Sequence, residues 1–473
     1  MFYLRTPVFF IILIVHEEGA MLMKYRLIKM EICGSKNIAR PMTISFLGDT
    51  IDKKKPFVIS NSNVKAIFGP NGSGKTAIMS AVDLYKELIS SYAIFLNEKF
   101  EQKANKLINK STNKLCMTVY YAITADDDNL ITVVSHRIVI AKKDERSRIS
   151  EETICEHTGV SVNAECNVLL KIVNGKLVEC ISEPENMLTD IIINRLLPVS
   201  DISSVAAFWD NKNIFEDVMK CVLEEYAQQR MTEYSKAFNA IFSIVLSGRR
   251  VLVYLDDVDK HNTIMNERTV SEMQLAVGGN PSDEYTLDLS ADLIIDSDYD
   301  KYQAEVKRLE SFIKIFKPEL MEIKASGKTD HSAIHISREY IYENYSVDEE
   351  FESAGIKKLV KLFSFLDAAS KGYIVFIDEM DTNINDIYLR RLVEYFVKYG
   401  EGQLIFTTHN LSPMEVLASV KRGIDFINGN NDDIPWVRNG NYSPIKQYSK
   451  GYIPGIPYNS ESFDFLKCFG RGE

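Results

Sequence analysis

The segment "GPNGSGKT", Gly69 to Thr76, sets glycines, a lysine and a hydroxyl in the order G-x-x-x-x-G-K-[ST], a device for holding phosphates. Gly69, Gly72 and Gly74 let backbone N–H groups converge on an anion, and Pro70, Asn71 and Ser73 belong to the same cradle. Lys75 adds a point charge toward the β and γ phosphates of a bound triphosphate, and Thr76 offers a hydroxyl to Mg²⁺. Such a loop needs an acidic partner at the end of a second buried strand. "YIVFIDE", Tyr373 to Glu379, and "VLVYLDD", Val251 to Asp257, both end apolar runs in carboxylates. The first is the better fit, because Asp378 can order the Mg²⁺ shell while the longer Glu379 orients or deprotonates attacking water. Asp256 and Asp257 lack that second, longer carboxylate and read as a strand-end turn. His409 in "TTHN" stands past the following strand, where an imidazole can touch a γ-phosphate and report its loss.

These residues have to be positioned by strands and helices. "VKAIF" before the loop is an apolar strand, and "TAIMSAVDLYKELISSYAIFL" after it continues as a helix. "YRLIKMEI" and "MTISFL" alternate as strands around a turn-like "CGSKNIARP", and "LCMTVYYAIT" and "LITVVSHRIVIA" form a second strand pair. Between them, Lys99, Lys103, Lys106, Lys110 and Lys114 recur at helical spacing, as a solvated stripe or as a face for phosphates or an acidic partner. From 151 to 345 the periodicity of "NIFEDVMKCVLEEYAQQ" and "YQAEVKRLESFIKIFKPEL" predicts a mostly helical insertion lobe. The expected division is therefore 1–22 as a non-native or disordered extension, with Met21 or Met23 as the native start, then 23–150, 151–345 and 346–473. The tail after 430, rich in Asn, Gly, Pro and Tyr, has no job legible from pattern.

Length and composition bound the class. A chain of 473 residues with 45% hydrophobic content is enough for two or three lobes. The net charge of −11 gives no global attraction to nucleic acid, so DNA would need a local basic face. The seven cysteines stand singly, without a CxxC pair, which argues against a zinc site or a disulfide framework and for a reducing cytoplasm. The longest apolar run, "VFFIILIV", falls short of the roughly 18 residues that a membrane helix needs.

The order of the phosphate loop, a distant Asp-Glu strand and a following histidine resembles the ABC-type ATPase heads of the RecF/SMC class. The stretch "ESAGIKKLVKLFSFLDAASKGYIVFIDE" strengthens it, since Ser353, Ala354 and Gly355 open a helix with an apolar face just before the Asp-Glu strand. The resemblance covers residues 23 to about 150 and 330 to 425. It implies an α/β head of mixed sheet and flanking helices that binds ATP and Mg²⁺, with Thr76 and Asp378 at the metal and Glu379 and His409 at the chemistry. It further implies that Ser353 and Gly355 close over the γ-phosphate held by a second copy, so that ATP joins two heads. "DTNIND" stands where related heads often carry Leu-His-Pro, Asp381 is the D-loop candidate, and the Q-loop glutamine is not assigned.

Transport is disfavoured by the missing membrane span, and zinc-hook repair by the missing coiled coil and CxxC. The design is similar to stand-alone ATPases of bacterial anti-phage systems, including the ATPase subunits of PARIS systems. That likeness implies a separate effector such as a nuclease toxin, a phage protein as trigger, and no membrane; a fused TOPRIM nuclease does not fit after Asn410. A RecF/SMC-like DNA-binding or repair ATPase, carried by the lysine stripe, is the alternative.

Overall fold

A computed structural model of the chain describes residues 24–47, 63–90, 97–124, 130–143, 146–157, 166–180, 240, 243–244, 246–248, 250–255, 287, 289–330, 333–438 and 442–456. The first half contributes β1 (Lys24–Cys33), β2 (Met42–Ser45), β3 (Val64–Phe68), α1 (Lys75–Ser90), α2 (Glu98–Leu107), β4 (Lys114–Thr124), β5 (Leu130–Lys143), β6 (Arg146–His157), β7 (Cys166–Val173) and β8 (Lys176–Cys180). The middle adds β9 (Val251–Tyr254), β10 (Leu293–Ile295), α3 (Tyr299–Phe316), β11 (Leu320–Asp330), β12 (Ala333–Tyr342) and β13 (Ser346–Asp348). The remainder supplies α4 (Ala354–Ser370), β14 (Ile374–Ile377), α5 (Asp386–Tyr399), β15 (Gln403–Thr407), α6 (Pro413–Leu417), β16 (Ile424–Ile427), β17 (Asp433–Pro435) and α7 (Pro444–Ser449).

The architecture is mixed α/β. A six-stranded sheet in the order β17-β16-β3-β15-β14-β9 forms its centre. Five of these strands pair in parallel, and β17 is an antiparallel edge. Strands such as Val64–Phe68 and Ile374–Ile377 are buried at every position, as expected where both faces of a parallel sheet are covered. The period of two along each strand then assigns its side chains to two cores. Ile67, Val251, Val253, Ile374, Phe376 and Ile405 pack toward α1 and a seven-stranded antiparallel sheet, β2-β1-β4-β5-β6-β7-β8. Ala66, Phe68, Leu252, Tyr254, Val375 and Phe406 pack toward α3, α4, α5 and α6. The end of β15 locks the two sheets together: the Gln403 side chain accepts from Leu27 N–H at 2.8 Å and donates to the Leu27 carbonyl at 2.9 Å. It does so where the β1–β4 register shifts between Leu27 and Lys29, which frees those backbone groups from the ladder.

The strand pairs β1–β2 and β4–β5 match the sequence expectation. The mostly helical lobe at 151–345 does not hold for the described residues. There, α3 is the only long helix, packed on a sheet in the order β10-β12-β11 with β13 on β12, while β7, β8 and β9 join the other two sheets. The alternation in "AIHISREYIY" carries β12, and the β-branched and apolar run in "CNVLLKIV" carries β7. The helix expected over "NIFEDVMKCVLEEYAQQ" and the extension at 1–22 lie outside the described residues.

The lysine stripe is also corrected. Helix α2 ends at Leu107 because Ile108 turns to extended φ and ψ, and the Asn109 side chain then caps a turn through the N–H groups of Ser111 and Thr112. Lys110 therefore lies in that turn and Lys114 opens β4, so neither continues the helix face. Lys103 is paired with Asp83 at 2.5 Å and Glu87 at 2.7 Å on α1.

Candidate functional site

The phosphate loop links β3 to α1, and its glycines are there for geometric reasons. Gly72 and Gly74 have φ of +78° and +106°, the left-handed region that side chains avoid. Gly69 meets the chain so closely that a Cβ would lie 2.4 Å from the Ile427 carbonyl oxygen. Lys75 begins the helix, is buried, and donates from Nζ to the carbonyls of Gly69 at 2.7 Å and Pro70 at 3.1 Å. Thr76 follows with its side chain exposed.

Three carboxylates from the far end of the chain converge on this lysine. Burial pushes the Lys75 ammonium below the ordinary lysine value, and the charges of Asp378, Glu379 and Asp381 pull it back up. They reach it because β14 lies one strand away from β3, separated only by β15, with all three strands parallel. Parallel strands bring their carboxyl ends to one edge, so the loop after β3 and the acids after β14 share a rim.

Asp378 is buried, and its Oδ1 accepts from Thr407 Oγ1 at 2.5 Å. The same hydroxyl accepts from the Glu379 N–H at 2.8 Å. Thr407, the last residue of β15, thereby fixes the Asp378 carboxylate and the Glu379 backbone, and the sequence alone does not single it out. Glu379 takes φ +48°, unusual for a residue with a Cβ, and its side chain is exposed. Asp378 therefore faces inward and Glu379 outward from consecutive positions, the division of labour that a metal-shell acid and a water-orienting base require.

His409 lies two residues past β15 with its side chain exposed, and its N–H donates to Asp381 Oδ2 at 3.2 Å. Asp381 thus connects the loop after β14 to the histidine, while its Oδ1 is buried without a partner among the described residues. Asn410 extends the same contact through Asp386 Oδ1 at 2.6 Å.

Ser353 caps α4 by accepting from Ile356 N–H at 3.3 Å, and Ser353 and Ala354 are exposed. Gly355 rests on the loop after β14, where a Cβ would come within 2.9 Å of the Asn383 carbonyl. Glu352 steadies the cap. Its buried carboxylate accepts from Ser353 N–H at 2.5 Å, from Lys317 at 3.1 Å and from the Tyr342 hydroxyl. Burial works against this charge, but those three donors outweigh it and hold the carboxyl below its ordinary range.

The residues suit a nucleotide with Mg²⁺. Ser73 Oγ is buried without a partner among the described residues, inside a cradle that a Cβ on Gly69 would fill. No cluster of three or more metal-ligating side chains occurs among the described residues, and Mg²⁺ held largely by phosphates and water does not need one. Val251–Tyr254 joins the sheet as β9, parallel to β14, but Asp256 and Asp257 lie outside the described residues. No helix among the described residues is long and apolar enough to cross a membrane. Comparison with protein-family models and with curated proteins gave no match for this chain.

Proposed function

We propose that the chain is an ABC-type ATPase head of the RecF/SMC class that acts as an ATP-driven switch in bacterial anti-phage defence. The observation that carries the nucleotide reading is the sheet order: the parallel strands β3, β15 and β14 bring the loop Gly69–Thr76 and the acids Asp378 and Glu379, about 300 residues apart in the chain, to one rim. In this reading the loop from Gly69 to Thr76 holds the triphosphate, and Thr76 and Asp378 hold Mg²⁺, which neutralises phosphate charge when bound. Glu379 orients a water and takes its proton as the water oxygen bonds to the γ-phosphorus. The bond from that phosphorus to the bridging oxygen breaks, leaving ADP and phosphate. His409, tied to Asp381, senses the γ-phosphate.

Ser353 and Gly355 complete the site of a second copy rather than their own. The exposed cap of α4 supports this, because Ser353 and Ala354 are exposed at a helix N-terminus where another protomer can present a phosphate. ATP then joins two heads, and hydrolysis or a phage protein releases a separate effector such as a nuclease toxin in the cytoplasm. The DNA-binding alternative is the weaker reading, since only Lys99, Lys103 and Lys106 share α2 and Lys103 is paired with Asp83 and Glu87.

The test pairs two variants. Lys75→Ala abolishes Mg·ATP binding in a filter assay, while Glu379→Gln retains binding and loses phosphate release. Retention of ATPase activity by Lys75→Ala would overturn the nucleotide reading. Phage plating with and without a neighbouring toxin-like gene tests the defence role, and equal plating in both cases would rule that role out.

A further inference from the structure

The phosphate loop is gripped from outside by two asparagines that the nucleotide chemistry itself does not require. Asn37, in the turn after β1, donates from Nδ2 to the Gly72 carbonyl at 2.6 Å. Asn431, in the turn between β16 and β17, donates from Nδ2 to the Ser73 carbonyl at 2.7 Å. A loop that binds an anion must keep its carbonyl oxygens turned away from the ligand, because each one facing inward sets negative charge against negative charge. Engaging two consecutive carbonyls from the outer side enforces that orientation.

The second grip is itself built from the end of the described chain. Asn428 Oδ1 accepts from the N–H groups of Asn430 and Asp432, both at 2.9 Å, and folds the turn that leaves Asn431 at φ +63°. Asn428 Nδ2 donates to the Pro454 carbonyl at 3.3 Å, and Gly429 N–H donates to the Gly455 carbonyl at 3.3 Å. Gly455 has φ +76°, and a Cβ there would press on the Asn428 side chain at 3.0 Å. Ile453 and Ile456 on either side are buried, which anchors this segment.

We propose that the Asn428–Asp432 turn is a brace that sets nucleotide affinity, with Asn431 as its positioning residue, and that the segment around Pro454–Gly455 holds the brace in place. The inference rests on the nucleotide reading above and adds a regulatory route to it: whatever displaces residues 442–456 loosens the phosphate loop from behind. It also gives the Asn-rich tail a role.

The full-length protein is titrated calorimetrically with Mg·ATP as wild type, Asn431→Gly, Gly455→Ala and the double variant. Asn431→Gly keeps the positive φ and removes only the donor. It is expected to raise Kd for Mg·ATP about five- to tenfold, the weight of one hydrogen bond. In steady state it raises KM and leaves kcat at saturating ATP unchanged, whereas general destabilisation would lower apparent kcat. Gly455→Ala shifts Kd in the same direction through Asn428, and the double variant is no weaker than Asn431→Gly by more than about twofold, as expected for one coupled path. If Asn431→Gly folds poorly, Asn431→Asp removes the same donor. Kd values for Asn431→Gly and Asn431→Asp within twofold of a wild type that binds Mg·ATP would overturn the brace, and so would additive effects of the two sites. A wild type that does not bind Mg·ATP would instead overturn the nucleotide reading.

Discussion

Replacing Thr407 by valine exchanges a hydroxyl for a methyl of nearly the same volume at a fully buried position, so it leaves no cavity and isolates the hydrogen bonds. Two are lost. The one to Asp378 Oδ1 at 2.5 Å is made to a charged group, a class that contributes about 1.5–3 kcal/mol. The one from Glu379 N–H at 2.8 Å leaves a donor to find another partner, at a cost of about 1 kcal/mol or more. Because both share one oxygen, their losses do not add fully, and about 3 kcal/mol of destabilisation is expected. The backbone bond from Met380 N–H to the Thr407 carbonyl at 3.0 Å survives, so the strand pairing itself is not at stake. Thr407→Ser keeps the hydroxyl and loses one methyl, at about 1 kcal/mol. Urea unfolding followed by tryptophan fluorescence, to which buried Trp436 beside β17 contributes, compares the two. Equal midpoints for Thr407→Val and Thr407→Ser would refute the role given to this hydroxyl. The valine variant is also expected to lose phosphate release more than ATP binding, since Asp378 and Glu379 lose their common support while the loop at Gly69–Thr76 is untouched.

Other expectations follow from the same contacts. Lys65 and Asp425 form a buried ion pair at 2.6 Å between β3 and β16. Lys65→Met leaves that carboxylate unpaired and destabilises by about 3–5 kcal/mol in chemical unfolding, while Lys65→Met with Asp425→Leu recovers most of it. Recovery of none would show that the pair is not the cause. Glu352 is held below its ordinary pKa, so its contribution is complete above about pH 4.3 and is lost as pH falls through the depressed value. The stability gap between wild type and Glu352→Gln is therefore constant from neutral pH to about 5 and closes only in stronger acid; a gap that closed already between pH 7 and 5 would contradict the hydrogen-bonding assigned to Glu352. Gly355→Val places side-chain bulk against the Asn383 carbonyl and is expected to weaken ATP-dependent self-association with ATP affinity retained, checked by light scattering and calorimetry.

The candidate site was legible in sequence where backbone geometry dictates residue identity. Gly72 and Gly74 need positive φ, and Asp378 ends an apolar run too short and too buried to carry a charge without purpose. Thr407 was not legible, because a threonine at a strand end is ordinary β chemistry until its hydroxyl is seen between the Asp378 carboxylate and the Glu379 N–H. Asn431 was hidden by distance: it reaches Ser73 across 358 positions, and nothing local marks the contact. The segment before α4 misled because the helical period of α3 is strong, whereas β11 is exposed along most of its length and carries little periodic signal. The lysine spacing misled because periodicity does not stop at a helix end, and Asn109 does stop it.

The most direct measurement is sedimentation of purified Glu379→Gln with and without Mg·ATP, with bound nucleotide counted in each species. The predicted result is a monomer that becomes a dimer carrying two ATP molecules, and that stays monomeric when Ser353→Arg blocks the cap of α4. A protein that binds ATP as a monomer under all conditions, or that dimerises equally well with Ser353→Arg, would contradict it.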